Sequence, residues 1–256
     1  MSDGLRAREL RLIALPGIPE VEAGADVARL LLEAVGRARE VLKAGDVVVV
    51  AQKIVSKAEG RLVRLETVTP SPRARELADA TGKDPRLTEL MLRESREVLR
   101  AKPNVLIVEH RLGLVMASAG IDESNVPDGA ALLLPEDPDA SARRLREALT
   151  RATGADVGVV INDSFGRAWR NGVAGVAIGV AGLPALVDLR GRADRRGRLL
   201  RVTEVAAADE IAAAASLLMG QAAEGTPAVL VCGFPYARRD GSAAELIRPR
   251  AQDLFR

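Results

Sequence analysis

The sequence predicts a fold that mixes helices with short strands, and three observations carry that expectation. Apolar runs rich in β-branched residues recur at residues 47–50, 157–161 and 227–233, too short for helices and bounded by Gly, Pro or polar residues. Before and between them lie longer stretches with apolar residues at helical spacing, such as residues 25–43. There is also no Walker A pattern, no dinucleotide-binding glycine fingerprint, no zinc signature and no internal repeat.

In order, residues 10–15 are a short strand that breaks at the rigid loop Pro16-Gly17-Ile18-Pro19. Residues 25–43 form an amphipathic helix that Gly45 ends, and residues 47–50 form a buried strand running into Gln52-Lys53-Ile54-Val55-Ser56-Lys57. Residues 70–101 read as a pair of helices, with Pro72 and Pro85 near their starts and Gly82 between. Residues 105–108 and 112–119 make a hairpin that turns at His110 and Arg111, where the single His is expected as a surface residue. A further helix spans residues 137–153, before Gly154. Short strands follow at 176–180, 185–189 and 199–203, then an Ala-rich helix at 203–220 and a loop of small residues to Thr226. Residues 227–233 return as a buried strand that holds Cys232.

Composition narrows the function. The 256 residues are 48% hydrophobic, enough for a substantial core in one large domain or two modest ones. The net charge is only +2 and aromatics are 2%, which argues against a nucleic-acid binder; the basic run at 190–201 reads as a solvated hairpin. One Cys excludes an internal disulfide, and Asp3 and Glu9 near the N-terminus do not fit a signal peptide. No stretch reaches the length of a membrane span, so a cytoplasmic protein without a membrane partner is expected.

Two strand ends carry the chemistry. The run at 157–161 ends in Asn162-Asp163-Ser164, and Gly166 then delivers Arg167 and Arg170. Residues 112–119 end in Gly120-Ile121-Asp122-Glu123-Ser124-Asn125, again an acid followed by small polar residues. Two such ends brought together offer Mg²⁺ two carboxylates, with phosphate and water completing its shell. Lys53 and Lys57, following a buried strand, suit phosphate as point charges. Each motif taken alone fits a plain alternative, an Asx-type turn for Asp163-Ser164 and solvated edge residues for the lysines.

Together, residues 53–60 (Lys-Ile-Val-Ser-Lys-Ala-Glu-Gly), 119–126, 163–167, 208–212 and Met219-Gly220-Gln221 resemble the F420-0:γ-glutamyl ligase family. The likeness runs in order over essentially the whole chain. It implies an α+β fold of mixed and antiparallel sheets with flanking helices, distinct from P-loop, Rossmann and ATP-grasp folds, in an interlocked homodimer. It also implies one ligase unit over residues 1–256, with room for two subdomains and without the C-terminal flavin-binding domain of some relatives.

The activity implied is GTP-dependent addition of L-glutamate to the deazaflavin precursor F420-0, with two divalent cations (Mg²⁺ or Mn²⁺) and K⁺. By position, Asp122 and Asp163 match metal-binding acids, and Ser164 and Gln221 match ligands of a second metal. Ile18, Pro19, Glu20, Val21, Gln52, Lys57, Asn125 and the run Met219, Gly220, Gln221, Ala222, Ala223, Glu224, Gly225, Thr226 match GTP contacts. The chain departs from the family at Ser164, where Thr is usual, at Gln52, where Ser is common, and at Gln221, where Glu also occurs. Asp122, Asp163 and Lys57 would carry the catalysis, while Arg167 and Arg170 are candidates for a substrate carboxylate. The residues also fit a related ligase acting on a different acid, or a non-catalytic binding protein.

Overall fold

The computed structural model describes residues 8–254, so Asp3 lies outside it. In chain order the elements are β1 (Arg11–Ala14), α1 (Val27–Arg37), β2 (Val47–Ala51), α2 (Gln52–Ala58), β3 (Leu62–Arg64), α3 (Pro72–Thr81) and α4 (Pro85–Arg93). Then come β4 (Ser95–Lys102), β5 (Val105–His110), β6 (Val115–Ala117), β7 (Ala130–Leu132), α5 (Pro138–Thr153), β8 (Gly158–Arg167) and β9 (Arg170–Ala181). The last are β10 (Val187–Asp188), β11 (Glu204–Val205), α6 (Ala207–Met219) and β12 (Ala228–Cys232).

Five strands build the main sheet in the order β1-β12-β2-β8-β9. β2 and β8 run parallel, and the other neighbours are antiparallel. Val47, Val48, Val49 and Val50 are all fully buried, because β2 is the central strand and both its faces are covered. Burying each such side chain stabilises the fold by about 1.5–3 kcal/mol. Alternate residues join opposite cores: Val48, Val50, Val159 and Ile161 pack with Leu31 of α1 and Leu149 of α5. Val47, Val49 and Val160 pack with Ile211, Ala212 and Ala215 of α6.

Two glycines let helices lie directly on β9. A Cβ on Gly175 would meet Ala212 O at 2.4 Å, and one on Gly179 would meet Pro138 O at 2.4 Å. A third core gathers Leu77, Leu90, Met91, Leu106, Val108 and Leu133, beside the β4-β5-β6 sheet and the β3-β7 pair. The architecture is therefore α+β, with several sheets and flanking helices. Among the described residues no helix is long and apolar enough to cross a membrane.

Several sequence expectations are corrected. The helix expected over 25–43 ends at Arg37, because Arg39 adopts φ 57°. The Glu40 and Arg39 N–H groups then donate to Val35 O at 3.1 Å and Gly36 O at 3.0 Å, which closes the helix end. Residues 52–58, beyond the strand expected at 47–50, are helical, and the second of the two helices expected over 70–101 gives way to β4. Pairing with β5, through two register shifts, overrides the charged helix-like composition of β4. The strand expected at 199–203 is a single bridge between Ala193 and Leu199, and β10 covers only two residues of the strand expected at 185–189. Glu204 and Val205 pair with β10, which delays the start of α6 to Ala207.

His110 is fully buried rather than at the surface. Its Nδ1 accepts the Leu112 N–H at 3.0 Å, and its Nε2 lies 3.5 Å from Glu94 Oε2. Cys232 is half-buried at the end of β12. Burial, reinforced by Asp46, pushes its thiol up to about 11, which disfavours the thiolate.

Candidate functional site

The apolar run of β8 ends before Asp163, but the strand does not. The strand continues to Arg167 and turns through Ala168 and Trp169 into β9, so Asp163 and Ser164 lie mid-strand, paired with Val176 and Gly175. This corrects both the strand-end reading and the Asx-turn alternative. Polar residues persist in the strand because β9 satisfies the backbone across from them. What marks the site is irregularity: the pairing steps from Ile161–Gly179 to Asn162–Ala177, a β-bulge on the β9 side. Next to it β2 ends, with Ala51 opposite Asn162, and α2 begins.

A pocket of about 420 Å³ opens at this junction. Its walls are Ile18, Pro19, Glu20 and Val21 from the loop after β1; Gln52, Lys53, Ile54 and Lys57 from α2; Asn125; and Asn162, Asp163 and Ser164 from β8. Met219, Gly220, Gln221, Ala222, Ala223, Glu224, Gly225 and Thr226, the loop after α6, close the ring. Segments from five distant parts of the sequence thus converge on one cavity. Asp122 stands just behind the wall, joined to it through Lys53. Arg167 and Arg170 do not line the pocket; both are exposed in the β8–β9 hairpin, where Arg167 Nη2 donates to Asn171 O at 3.1 Å.

The backbone of Asp122 is pinned to β7 by two hydrogen bonds with Leu132, of 3.0 and 2.8 Å. Its Oδ1 accepts the Ser124 N–H at 2.6 Å, and its Oδ2 lies 2.6 Å from Lys53 Nζ. Burial alone would raise its pKa, but the bonds from Lys53 and Ser124 outweigh it and hold the carboxyl below its ordinary value. Asp163 is in the opposite state. Its Oδ1 accepts the Ser164 N–H at 2.8 Å, yet burial and the charge of Asp122 push it up to about 7 despite Lys53.

Two half-buried carboxylates therefore share one ammonium, an arrangement short of positive charge. Among the described residues no group of three or more His, Cys, Asp or Glu is placed to hold a metal ion. The donors here are two acids, with the Ser164 hydroxyl and the Gln221 amide on the same pocket. Hard oxygens in that number suit Mg²⁺ or Mn²⁺ completed by phosphate and water rather than an all-protein cage.

On the other wall, Lys57 Nζ donates to Asn125 O at 2.7 Å and pairs with Glu20, which fixes its ammonium at the rim. Gln52 is buried, its Oε1 accepting the Ser56 hydroxyl at 2.9 Å. The loop after α6 depends on Gly220, whose φ of 71° and ψ of −177° belong to glycine. A Cβ there would lie 2.1 Å from Glu224 Cδ, and Glu224 Oε2 in turn accepts the Ala222 N–H at 2.8 Å.

Sequence reasoning read Lys53 as a charge for phosphate rather than as a partner of Asp122, and gave Asn162 no role. Lys53 carried a usable signal, since it lies four residues before Lys57 and so shares its helix face. Asn162 carried none, because an amide after an apolar run has many uses.

The chain matches the family model described as F420-0:Gamma-glutamyl ligase over residues 17–233. It is 50% identical over 249 residues to coenzyme F420:L-glutamate ligase of Methanothermobacter thermautotrophicus, which covers 96% of this chain and 99% of that one. To the protein of the same name from Methanopyrus kandleri it is 48% identical, over 96% of this chain and 98% of the other. A third, from Archaeoglobus fulgidus, is 44% identical over 96% of each chain.

Proposed function

The chain belongs to the F420-0:γ-glutamyl ligase family, and from that premise we propose that it joins L-glutamate to F420-0 at the expense of GTP, in coenzyme F420 biosynthesis. The observation that carries this reading is the convergence of Asp163, Ser164, Lys57 and the small-residue loop on one pocket, with Asp122 held against it by Lys53.

A carboxylate does not condense with an amine in water, because it is a poor electrophile. The terminal carboxylate of F420-0 attacks the γ-phosphorus of GTP, and GDP leaves. The α-amine of glutamate then displaces phosphate from the acyl phosphate, and an amide remains. Such transfers depend on positioning and on neutralising charge rather than on a nucleophilic side chain. Lys57, held by Glu20 and Asn125, meets phosphate charge at the rim. The loop from Met219 to Thr226 brings backbone close to the nucleotide, since its small residues leave room. Asp122 and Asp163 would hold one divalent cation, and Ser164 and Gln221 a second. Bound there, Mg²⁺ or Mn²⁺ supplies charge neutralisation for the phosphates, and K⁺ is the accompanying monovalent ion.

The working form proposed is a homodimer in the cytoplasm. Trp169, 88% exposed at the β8–β9 turn, and Leu217, 84% exposed on α6, are apolar groups that a second copy can cover. Incubating the protein with F420-0, L-glutamate, GTP and Mn²⁺ tests the activity by mass spectrometry. A product heavier by one glutamyl unit, absent without GTP, is expected; no mass gain overturns the reading.

A further inference from the structure

We propose that Asn162 is a positioning residue that sets the register between the acid-bearing strand β8 and the loop after α6, and thereby sets GTP affinity. The proposal rests on the GTP-dependent reading above.

Asn162 is 6% exposed. Alternation along β8 sends Val160 and Asn162 toward α6, and Ile161 and Asp163 toward the other face. The core partners of Val160 and Ile161 match that division. Asn162 Nδ2 donates to Ser216 Oγ at 3.0 Å and to Met219 Sδ at 3.3 Å. Ser216 Oγ in turn donates to Ala212 O at 3.0 Å, so the amide grips the last turn of α6. Met219 directly precedes Gly220, where the loop carrying Gln221 departs. One side chain therefore spans from the residue beside Asp163 to the root of that loop.

Packing alone does not account for an amide here. Its Oδ1 is buried without a hydrogen-bond partner, a state that costs about 1–3 kcal/mol. A leucine would fill similar space against α6 without that cost. The amide specifies a register that an apolar contact leaves free to slide, and Asn162 itself lines the pocket.

The test is GTP titration in the presence of Mn²⁺, together with steady-state kinetics, on the full chain, Asn162→Leu and Ser216→Ala. Asn162→Leu should melt near the wild type yet bind GTP about tenfold more weakly, the scale of a small misplacement of binding groups. Its KM for GTP should rise in parallel while kcat at saturating GTP stays within about twofold. Ser216→Ala, which keeps Asn162 but removes one of its two acceptors, should shift KM the same way by less, and it decides the matter if Asn162→Leu does not fold. Unchanged GTP affinity in the folded variants, or a fall in kcat with KM unmoved, overturns the proposal. A wild-type protein that binds no GTP instead overturns the functional reading beneath it.

Discussion

The Lys53 ammonium lies 2.6 Å from Asp122 Oδ2, while the hydrogen bond at Asp163 comes from the backbone N–H of Ser164. One cation thus serves a pair of acids, and Lys53 holds ground that a divalent ion needs. Lys53→Met should lower the stability of the metal-free protein by about 1 kcal/mol, as for a partly exposed pair. Added Mn²⁺ should then raise its melting temperature more than that of the wild type. An identical Mn²⁺ response in the two proteins would mean that the ion does not approach Asp122.

Asp163 predicts a pH dependence. Its pKa in the folded protein, about 7, is above the ordinary 3.8 because of burial first and the charge of Asp122 next. The folded state therefore binds a proton that the unfolded state has released, and this contribution to stability is lost as pH rises from about 4 to about 7. Mn²⁺ competes with that proton, so its affinity should climb up to about pH 7 and flatten above. Calorimetric Mn²⁺ titration across this range checks the trend, and Asp163→Asn should abolish both the binding and the slope.

Glu94 has the opposite sign. Burial would raise its pKa, but His110, whose Nε2 lies 3.5 Å away, and the charges of Arg111 and Arg61 hold it down to about 2 from 4.5. Arg61 Nη2 and Arg111 Nε reach its oxygens at 3.1 and 3.0 Å. Its stabilisation is fully present above pH 4.5 and is lost as pH falls toward 2. Glu94→Gln should cost on the order of 3 kcal/mol in urea unfolding at neutral pH, by leaving two arginines without their shared carboxylate.

How much of this was legible in the sequence depends on distance along the chain. The valines of β2 and the run before Asp163 announce buried strands, because burial on both faces requires continuous apolar residues. The extension of β8 through Asp163 to Arg167 was not legible, since its polar residues are held there by β9 rather than by their own preference. β4 misled for the same reason: Ser95–Lys102 alternates charges like a helix surface but is fixed by pairing with β5. At the site, Asp163 and the loop at Gly220 stand out by residue type. The Lys53–Asp122 contact does not, because only the pinning of Asp122 to β7 brings it to α2.

Gly220→Ala tests the loop. The added Cβ must meet the Glu224 side chain, and the backbone conformation disfavours any residue but glycine. The strain, about 1–3 kcal/mol, should lower the melting temperature of the free protein by a few degrees. The rise produced by GTP with Mn²⁺ should shrink, as differential melting would show.

The most direct measurement of the central claim follows one oxygen atom. F420-0 labelled with oxygen-18 in its terminal carboxylate is incubated with the protein, GTP, Mn²⁺ and L-glutamate, and the released phosphate is weighed by mass spectrometry. If the carboxylate attacks the γ-phosphorus and the amine then displaces phosphate, one labelled oxygen leaves in each phosphate formed. Phosphate without label, released while amide accumulates, would contradict the acyl-phosphate route.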